Sequence, residues 1–348
     1  MVGHSLAAVI NNASFTGEMI SYAIGKVVTP SVFIFIFLFG YGQGIKRKRL
    51  NRNIVIKRTI NIFTPYIFFA TVALILYIIL GSPYDKMWML RDTFNGKLNI
   101  ASYFVTLISF TASWQYYFLV LIFAFQAFGN IFRNIPVVTL EKITKIALYL
   151  HILEMLLITV FLWLANPMKF NLYIVGGFIS PNPIFWFFPF MWGYTIGSKK
   201  GRLPWEEIQK KDYFFGIFFF LLSVFEVSFL GNKWNTFYLI DQFTLFSFFL
   251  NIYALKFIGR IAGKINLRKH RRIGKFFMTF GVYSFIVYMV HMPYEWFLFV
   301  GLQNITGFQF PYAIQVLLLI GFGFGFSTLV IAIAKSVPKK IRRLIMGF

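Results

Sequence analysis

Two histidines of this chain lie inside apolar segments that are long enough to be helical. His4 belongs to MVGHSLAAVI, and His291 belongs to GVYSFIVYMVHMPYEWFLF. An ionisable side chain is costly in hydrocarbon, so a histidine inside the membrane indicates function. A neutral imidazole can accept a proton from a hydroxyl group as a general base. His4 and His291 are therefore candidate catalytic residues; the alternatives are a solvated N-terminal His4 and a purely structural His291.

Polar residues recur around His291 with helical spacing. Gly281, Ser284, Tyr288, His291 and Glu295 follow one another at intervals of 3, 4, 3 and 4 residues, which places them on one face of a helix. A polar stripe on an otherwise apolar membrane helix faces the bundle interior or a water-filled cavity. Ser284, Tyr288 and Glu295 are therefore candidate supporting or substrate-contacting residues.

A proline follows this stripe. Pro293 has no backbone N–H, so the carbonyl of Met289, four residues earlier, loses its helical hydrogen-bond donor. Membrane helices bend in this way around functional sites. The sequence thus predicts a carbonyl in need of another donor close to His291.

A basic segment and an aromatic cluster supply further candidates. Seven cations lie in 46–58, and Lys57 and Arg58 are only a few residues from the next apolar run. A guanidinium there can bind a phosphate group through two parallel hydrogen bonds, and lipid-headgroup anchoring is the alternative. In SWQYYF, Trp114 and Tyr117 are candidate substrate contacts, although such clusters are more often interfacial aromatic belts.

Composition identifies an integral membrane protein. The chain of 348 residues is 58% hydrophobic and 13% charged, against about 25% charged in soluble domains. We expect an all-α polytopic bundle of about ten spans without a soluble domain, forming a single domain over 1–348. The first span is incomplete (1–10), because ten residues reach only about half of the hydrocarbon core. The complete spans are predicted near 27–45, 60–81, 102–130, 146–165, 172–198, 213–230, 238–255, 279–299 and 311–334.

The basic residues are distributed unequally between alternate loops. Of 34 Lys and Arg, 28 lie in 46–58, 130–145, 199–211, 256–278 and the segment after 334. The positive-inside rule makes this side and the C-terminus cytoplasmic, which predicts a multi-pass protein of the bacterial inner membrane. Because the net charge of +23 is divided among short loops between apolar spans, we do not expect nucleic-acid binding. The absence of cysteine excludes disulfides, thiolate metal sites and a cysteine nucleophile, and no metal site is predicted.

Four segments resemble the bacterial membrane acyltransferases of family three, which O-acylate cell-surface sugars. VGHS (2–5) resembles the end of the family's first helix, and PSVFIFIFLFGYGQGIKRK (30–48) resembles its second helix. KRTINIFTPY (57–66) is similar to the Arg-bearing entry to the third helix. YSFIVYMVHMP (283–293) is similar to the late helix with a YxxH motif followed by proline, and it is the most specific of the four.

The resemblance implies a chemistry for these residues. His4 would be the catalytic base, and Arg58, with Lys57, would bind the donor, acetyl-CoA or another acyl-CoA. The acceptor would be a glycan or a lipid-linked sugar; membrane lipids are the other expected partners, and no cofactor would be permanently bound. Two differences from the family stand out: Asn61 occupies the position of its second third-helix Arg, and its Arg about ten residues before the first-helix His would fall upstream of Met1.

Two other hypotheses stay open. Glu154 with His151, Glu226 and Asp241 are acids in or near apolar spans, and they could carry protons or ions in a transporter or flippase of a glycan or lipid. The incomplete first span also allows an inactive, truncated family member.

Overall fold

The computed structural model describes residues 15–47, 52–80, 99–110, 116–165, 179, 181–201, 203–234, 243–264, 283, 287–290, 302, 306–307 and 311–338, and the regular structure in these ranges is helical. Its main helices are α1 (Phe15–Val28), α2 (Pro30–Ile45), α3 (Arg52–Leu80), α4 (Ile100–Ile108), α5 (Tyr117–Ile131), α6 (Val137–Leu164), α7 (Phe187–Lys199), α8 (Lys210–Trp234), α9 (Leu245–Lys264) and α10 (Tyr312–Ser336). The all-α prediction is confirmed.

Seven helices within the described ranges are long and apolar enough to cross a membrane. They cover Tyr22–Ile45, Arg52–Leu76, Tyr117–Asn134, Val137–Leu164, Lys210–Leu230, Leu245–Lys264 and Ile314–Ile333. The chain is therefore a multi-pass membrane protein, and no soluble domain is evident in the part that the structure describes. Most of the predicted span 279–299 lies outside the described residues.

Two predicted spans are corrected. In the run 172–198, residues 181–186 lie outside a helix, and α7 begins at Phe187. The apolar run 102–130 does not form one helix, because α4 ends at Ile108 and α5 begins at Tyr117. Asn99 and Ser102 form a capping box that starts α4, and Phe110 has a φ of 58°, a conformation that few aromatic residues adopt. Hydropathy carries no information about such a backbone break.

The chain divides into two compact units. The first comprises Met1–Asn12, Asn53–Val120 and Leu267–Phe348, and the second comprises Ala13–Arg52 and Leu121–Asn266. The interpretation of 1–348 as a single domain stays a prediction.

In the second unit, α2 and α7 pack in parallel through glycines. A Cβ atom on Gly40 or Gly44 would overlap a carbonyl oxygen of α7, and one on Gly193 or Gly197 would overlap a carbonyl oxygen of α2. Pairs of glycines four residues apart let membrane helices approach to backbone contact, where dispersion forces act over the whole interface. These helices form the closely packed centre of the unit.

Candidate active site

The structure describes four of the nine residues selected from the sequence, and all four belong to the first unit: Lys57, Arg58, Tyr117 and Tyr288. The other five lie outside the described residues: His4, Trp114, Ser284, His291 and Glu295.

Helix α3 presents the two cations near its start. Lys57 is exposed and Arg58 is half-buried, which suits side chains that meet an anion arriving from water. Eight residues further along the same helix is Tyr66, about 12 Å away at 1.5 Å rise per residue. Among the described residues, no hydrogen bond or ring contact joins Arg58 to the tyrosines of this unit.

Tyr117 and Tyr288 are brought together by the fold. Tyr117 is the first residue of α5, and the residues on either side of it, Tyr116 and Phe118, both contact the segment of Tyr288. The neighbouring Phe118 packs on Tyr288 with ring centroids 5.3 Å apart. The hydroxyl of Tyr288 is buried, and a buried phenol can donate a strong hydrogen bond to a developing oxyanion.

Tyr116 supplies the donor that the carbonyl of Met289 was predicted to need. Its hydroxyl donates a hydrogen bond to the Met289 carbonyl oxygen at 3.1 Å, and both residues are 0% exposed. The sequence identified the acceptor through Pro293 but missed Tyr116. The aromatic cluster SWQYYF contains both tyrosines, and nothing in its sequence shows that Tyr116 rather than Tyr117 would bind this carbonyl.

Tyr66 holds Tyr116 from the side. Their rings meet edge to face, with centroids 5.3 Å apart and planes at 90°. The hydroxyl of Tyr66 donates to the carbonyl of Leu107 at 2.7 Å, and its ring packs on Phe110 at 4.7 Å. Leu107 lies in the last turn of α4, and its carbonyl also accepts the backbone N–H of Phe110 at 3.2 Å. No pattern in the sequence identifies Tyr66.

The segment that carries Tyr288 is also in contact with α10. Val287 donates its N–H to the carbonyl of Tyr283 at 3.0 Å, as in a helix. The ammonium of Lys335 lies 5.0 Å from the centre of the Tyr283 ring, a cation–π contact. Residues 283 and 287–290 are thus fixed by α10 and by the residues that begin α5.

A second polar cluster lies within the second unit. Lys26 and Glu226 are each only 1% exposed, and Lys26 donates to the hydroxyl of Ser247 at 2.7 Å. The ammonium of Lys26 interacts electrostatically with the carboxyl group of Glu226. Neither carboxyl oxygen has a partner in hydrogen-bonding geometry among the described residues, although Thr244 and Trp163 are close.

The other polar residues of the transporter hypothesis are His151 with Glu154, and Asp241. His151 Nδ1 lies 3.6 Å from Glu154, and its ring packs against Phe248 at 4.9 Å. Asp241 lies outside the described residues.

Comparison with known families gives one match. A family model described as an acyltransferase domain, that of acyltransferase family 3, matches residues 1–336. Comparisons with curated proteins and with solved structures give no significant match. The matched range contains all nine residues selected from the sequence.

Proposed function

Since this chain belongs to acyltransferase family 3 and is a membrane acyltransferase, we propose that it transfers an acyl group from acyl-CoA to a carbohydrate hydroxyl. We expect acetyl-CoA to be the preferred donor and a cell-surface or lipid-linked sugar to be the acceptor. The observation that carries the proposal is that the start of α5, where Tyr117 lies, packs on the segment of Tyr288 through the contact of Phe118 with the Tyr288 ring. Tyr117 and Tyr288 were both selected as substrate-contacting residues, and they come from segments that are far apart in the chain.

The reaction follows from the roles of these residues. His4 takes the proton of the acceptor hydroxyl while the oxygen attacks the thioester carbonyl. The tetrahedral oxyanion is stabilised by the phenol of Tyr288, with Ser284 and Arg58 as further candidates. The carbon–sulfur bond then breaks, the thiolate of coenzyme A leaves and is protonated, and the sugar ester forms. His291, three residues after Tyr288, is the second candidate for proton transfer.

The donor would approach from the cation-rich side. Acyl-CoA carries several phosphate charges, and a positive surface raises the local concentration of such an anion. The exposed Lys57 and the half-buried Arg58 stand at the start of α3, where they can bind phosphate. By the positive-inside rule this side and the C-terminus are cytoplasmic, in the bacterial inner membrane.

The test uses purified protein in detergent or nanodiscs with acetyl-CoA and surface glycan. Because the chain has no cysteine, a thiol reagent reads released coenzyme A without a signal from the enzyme. We expect His4→Ala to lower kcat at least about 100-fold, the contribution of a general base. His270→Ala, which changes a histidine in the basic segment 256–278, is the control and keeps wild-type turnover. Full activity of His4→Ala would contradict the proposal.

Transport of a glycan or lipid is the second candidate function. The buried Lys26 and Glu226 favour it, since buried charges inside membrane proteins occur along proton and ion pathways. Transport predicts acceptor movement across vesicles without acyl-CoA, driven by a proton gradient and lost in Glu226→Gln or Glu154→Gln. Acyl transfer predicts no such movement and coenzyme A release that survives Glu226→Gln.

A further inference from the structure

We propose that Tyr116 is a positioning residue for acyl transfer: its hydroxyl replaces the helical donor that Pro293 cannot supply, and so fixes residues 287–290, which include Tyr288 and directly precede His291 in the sequence. This inference rests on the proposed function, since it concerns the residues assigned to catalysis there. Tyr116 itself touches no substrate in this account and acts through the backbone of Met289.

The first argument is that the Met289 carbonyl needs a donor. Residue 293 is proline and has no N–H, so the usual helical partner of this carbonyl does not exist. Both Met289 and Tyr116 are 0% exposed, so neither side chain is in contact with bulk water. A carbonyl without a donor is strongly destabilising in hydrocarbon. The bond of 3.1 Å from Tyr116 removes this destabilisation.

The second argument is that the Tyr116 hydroxyl is itself held in place. The Tyr66 ring meets the Tyr116 ring at 90°, and Tyr66 is tied to α4 through Leu107. Phe110, which has a φ of 58°, also packs on the ring of Tyr66, with ring centroids 4.7 Å apart. A left-handed conformation of an aromatic residue persists only where the surroundings determine it. A donor fixed in this way can define the position of its acceptor.

The third argument concerns what Met289 carries. Tyr288 precedes it directly and His291 follows two residues later. Phe118 packs on Tyr288, and Tyr116 binds the carbonyl of Met289. Two residues at or next to the start of α5 therefore contact two consecutive residues, 288 and 289. The Met289 carbonyl belongs to the peptide that joins residues 289 and 290, so its hydrogen bond fixes the backbone just after Tyr288, and errors of about 1 Å at a reacting centre can lower rates about 100-fold.

The experiment begins with Tyr116→Phe, which removes only the hydroxyl group and keeps the ring contact with Tyr66. We expect kcat for coenzyme A release to fall roughly tenfold while KM for acetyl-CoA changes less than about twofold, because the donor-binding cations are untouched. Tyr103→Phe is the matched control. Its hydroxyl lies 2.9 Å from that of Thr71 in the same unit, and its removal leaves kcat unchanged. An unchanged kcat in Tyr116→Phe overturns the inference.

A double-mutant cycle separates positioning from general packing. Pro293→Ala restores an N–H four residues after Met289, so the carbonyl regains a donor and no longer depends on Tyr116. In the Pro293→Ala background we expect Tyr116→Phe to lower kcat less than about twofold. An equal loss in both backgrounds overturns the inference, because the two residues would then act independently.

Melting temperatures can be measured without activity for the four proteins of this cycle, which are the wild type, Tyr116→Phe, Pro293→Ala and the double variant. One outcome is that Tyr116→Phe lowers the melting temperature less in the Pro293→Ala background, while the wild-type protein shows no acyl transfer. This outcome supports the hydrogen-bond role of Tyr116 and counts against the proposed function. Acyl transfer without coupling in either measurement supports the proposed function and overturns the role of Tyr116.

Discussion

The two units of this protein are held together by different kinds of contact. In the second unit, glycines bring α2 and α7 to backbone contact, and ion pairs join Lys256 to Asp212 and Lys199 to Glu141. In the described part of the first unit, neutral tyrosine hydroxyls bind carbonyls of neighbouring segments. Tyr194 of the second unit also donates to a carbonyl, that of Gly129, but this unit adds backbone packing and ion pairs to such bonds, and it contains none of the four described candidate residues. The first unit contains all four of these candidate residues. Each of its tyrosine hydrogen bonds can be removed singly by a Tyr→Phe substitution.

The comparison predicts that substitutions in the second unit reduce stability, whereas substitutions in the first unit reduce turnover. The largest expected effect is that of Gly44→Leu. Its side chain would overlap the backbone of Tyr194, and overpacking costs typically about 1–3 kcal/mol and occasionally more. We expect little monodisperse protein in detergent and a strongly lowered melting temperature.

Gly42→Leu is the control for this prediction. It lies on the same helix, and nothing is within 4 Å of a Cβ at that position. Equal yields of the two variants would show that the glycine contacts do not hold the second unit together.

The next largest effect is expected for Glu226→Leu. Removing this carboxyl group takes away the acidic neighbour of the buried Lys26 ammonium, which keeps its bond to Ser247, and losing one charge of a buried pair is destabilising. The double variant Lys26→Met with Glu226→Leu should recover much of the melting temperature, since both charges are then removed. The activity of each folded molecule should stay at the wild-type level. A double variant that is no more stable than Glu226→Leu would argue against this pairing.

The smallest effect on stability is expected for Tyr66→Phe. It removes the hydrogen bond to the Leu107 carbonyl and keeps the ring contacts, and such bonds between membrane helices are worth about 0.6–1.7 kcal/mol. We expect a melting temperature only a few degrees lower but a kcat reduced severalfold, because the Tyr66 ring that contacts Tyr116 is no longer tied to Leu107. Measuring both quantities on one preparation sharpens the contrast between the units. A change in stability alone would place Tyr66 with the structural residues of the second unit.

Covalent chemistry determined how much could be predicted from the sequence. Composition and apolar runs predicted the all-α membrane bundle, and Pro293 predicted that Met289 needs a new donor, because the lack of an N–H depends on no other part of the chain. The donor itself, Tyr116, depends on which segments become neighbours. The same is true of the partner of Gly40 and Gly44, since G-x-x-x-G spacing indicates a close contact without naming the second helix. The break at Phe110 had no signal, because an aromatic residue gives no reason to expect a positive φ.

The parallel arrangement of α2 and α7 also limits how the second unit can move. If α2 advanced by one helical turn, Ile36 would take the place of Gly40, and its side chain would meet the carbonyl oxygen of Phe190. Sliding of α2 in this direction is therefore blocked by a side chain larger than glycine. Because the glycines fix the register of the two helices, we expect shear motions within this unit to occur between other helices.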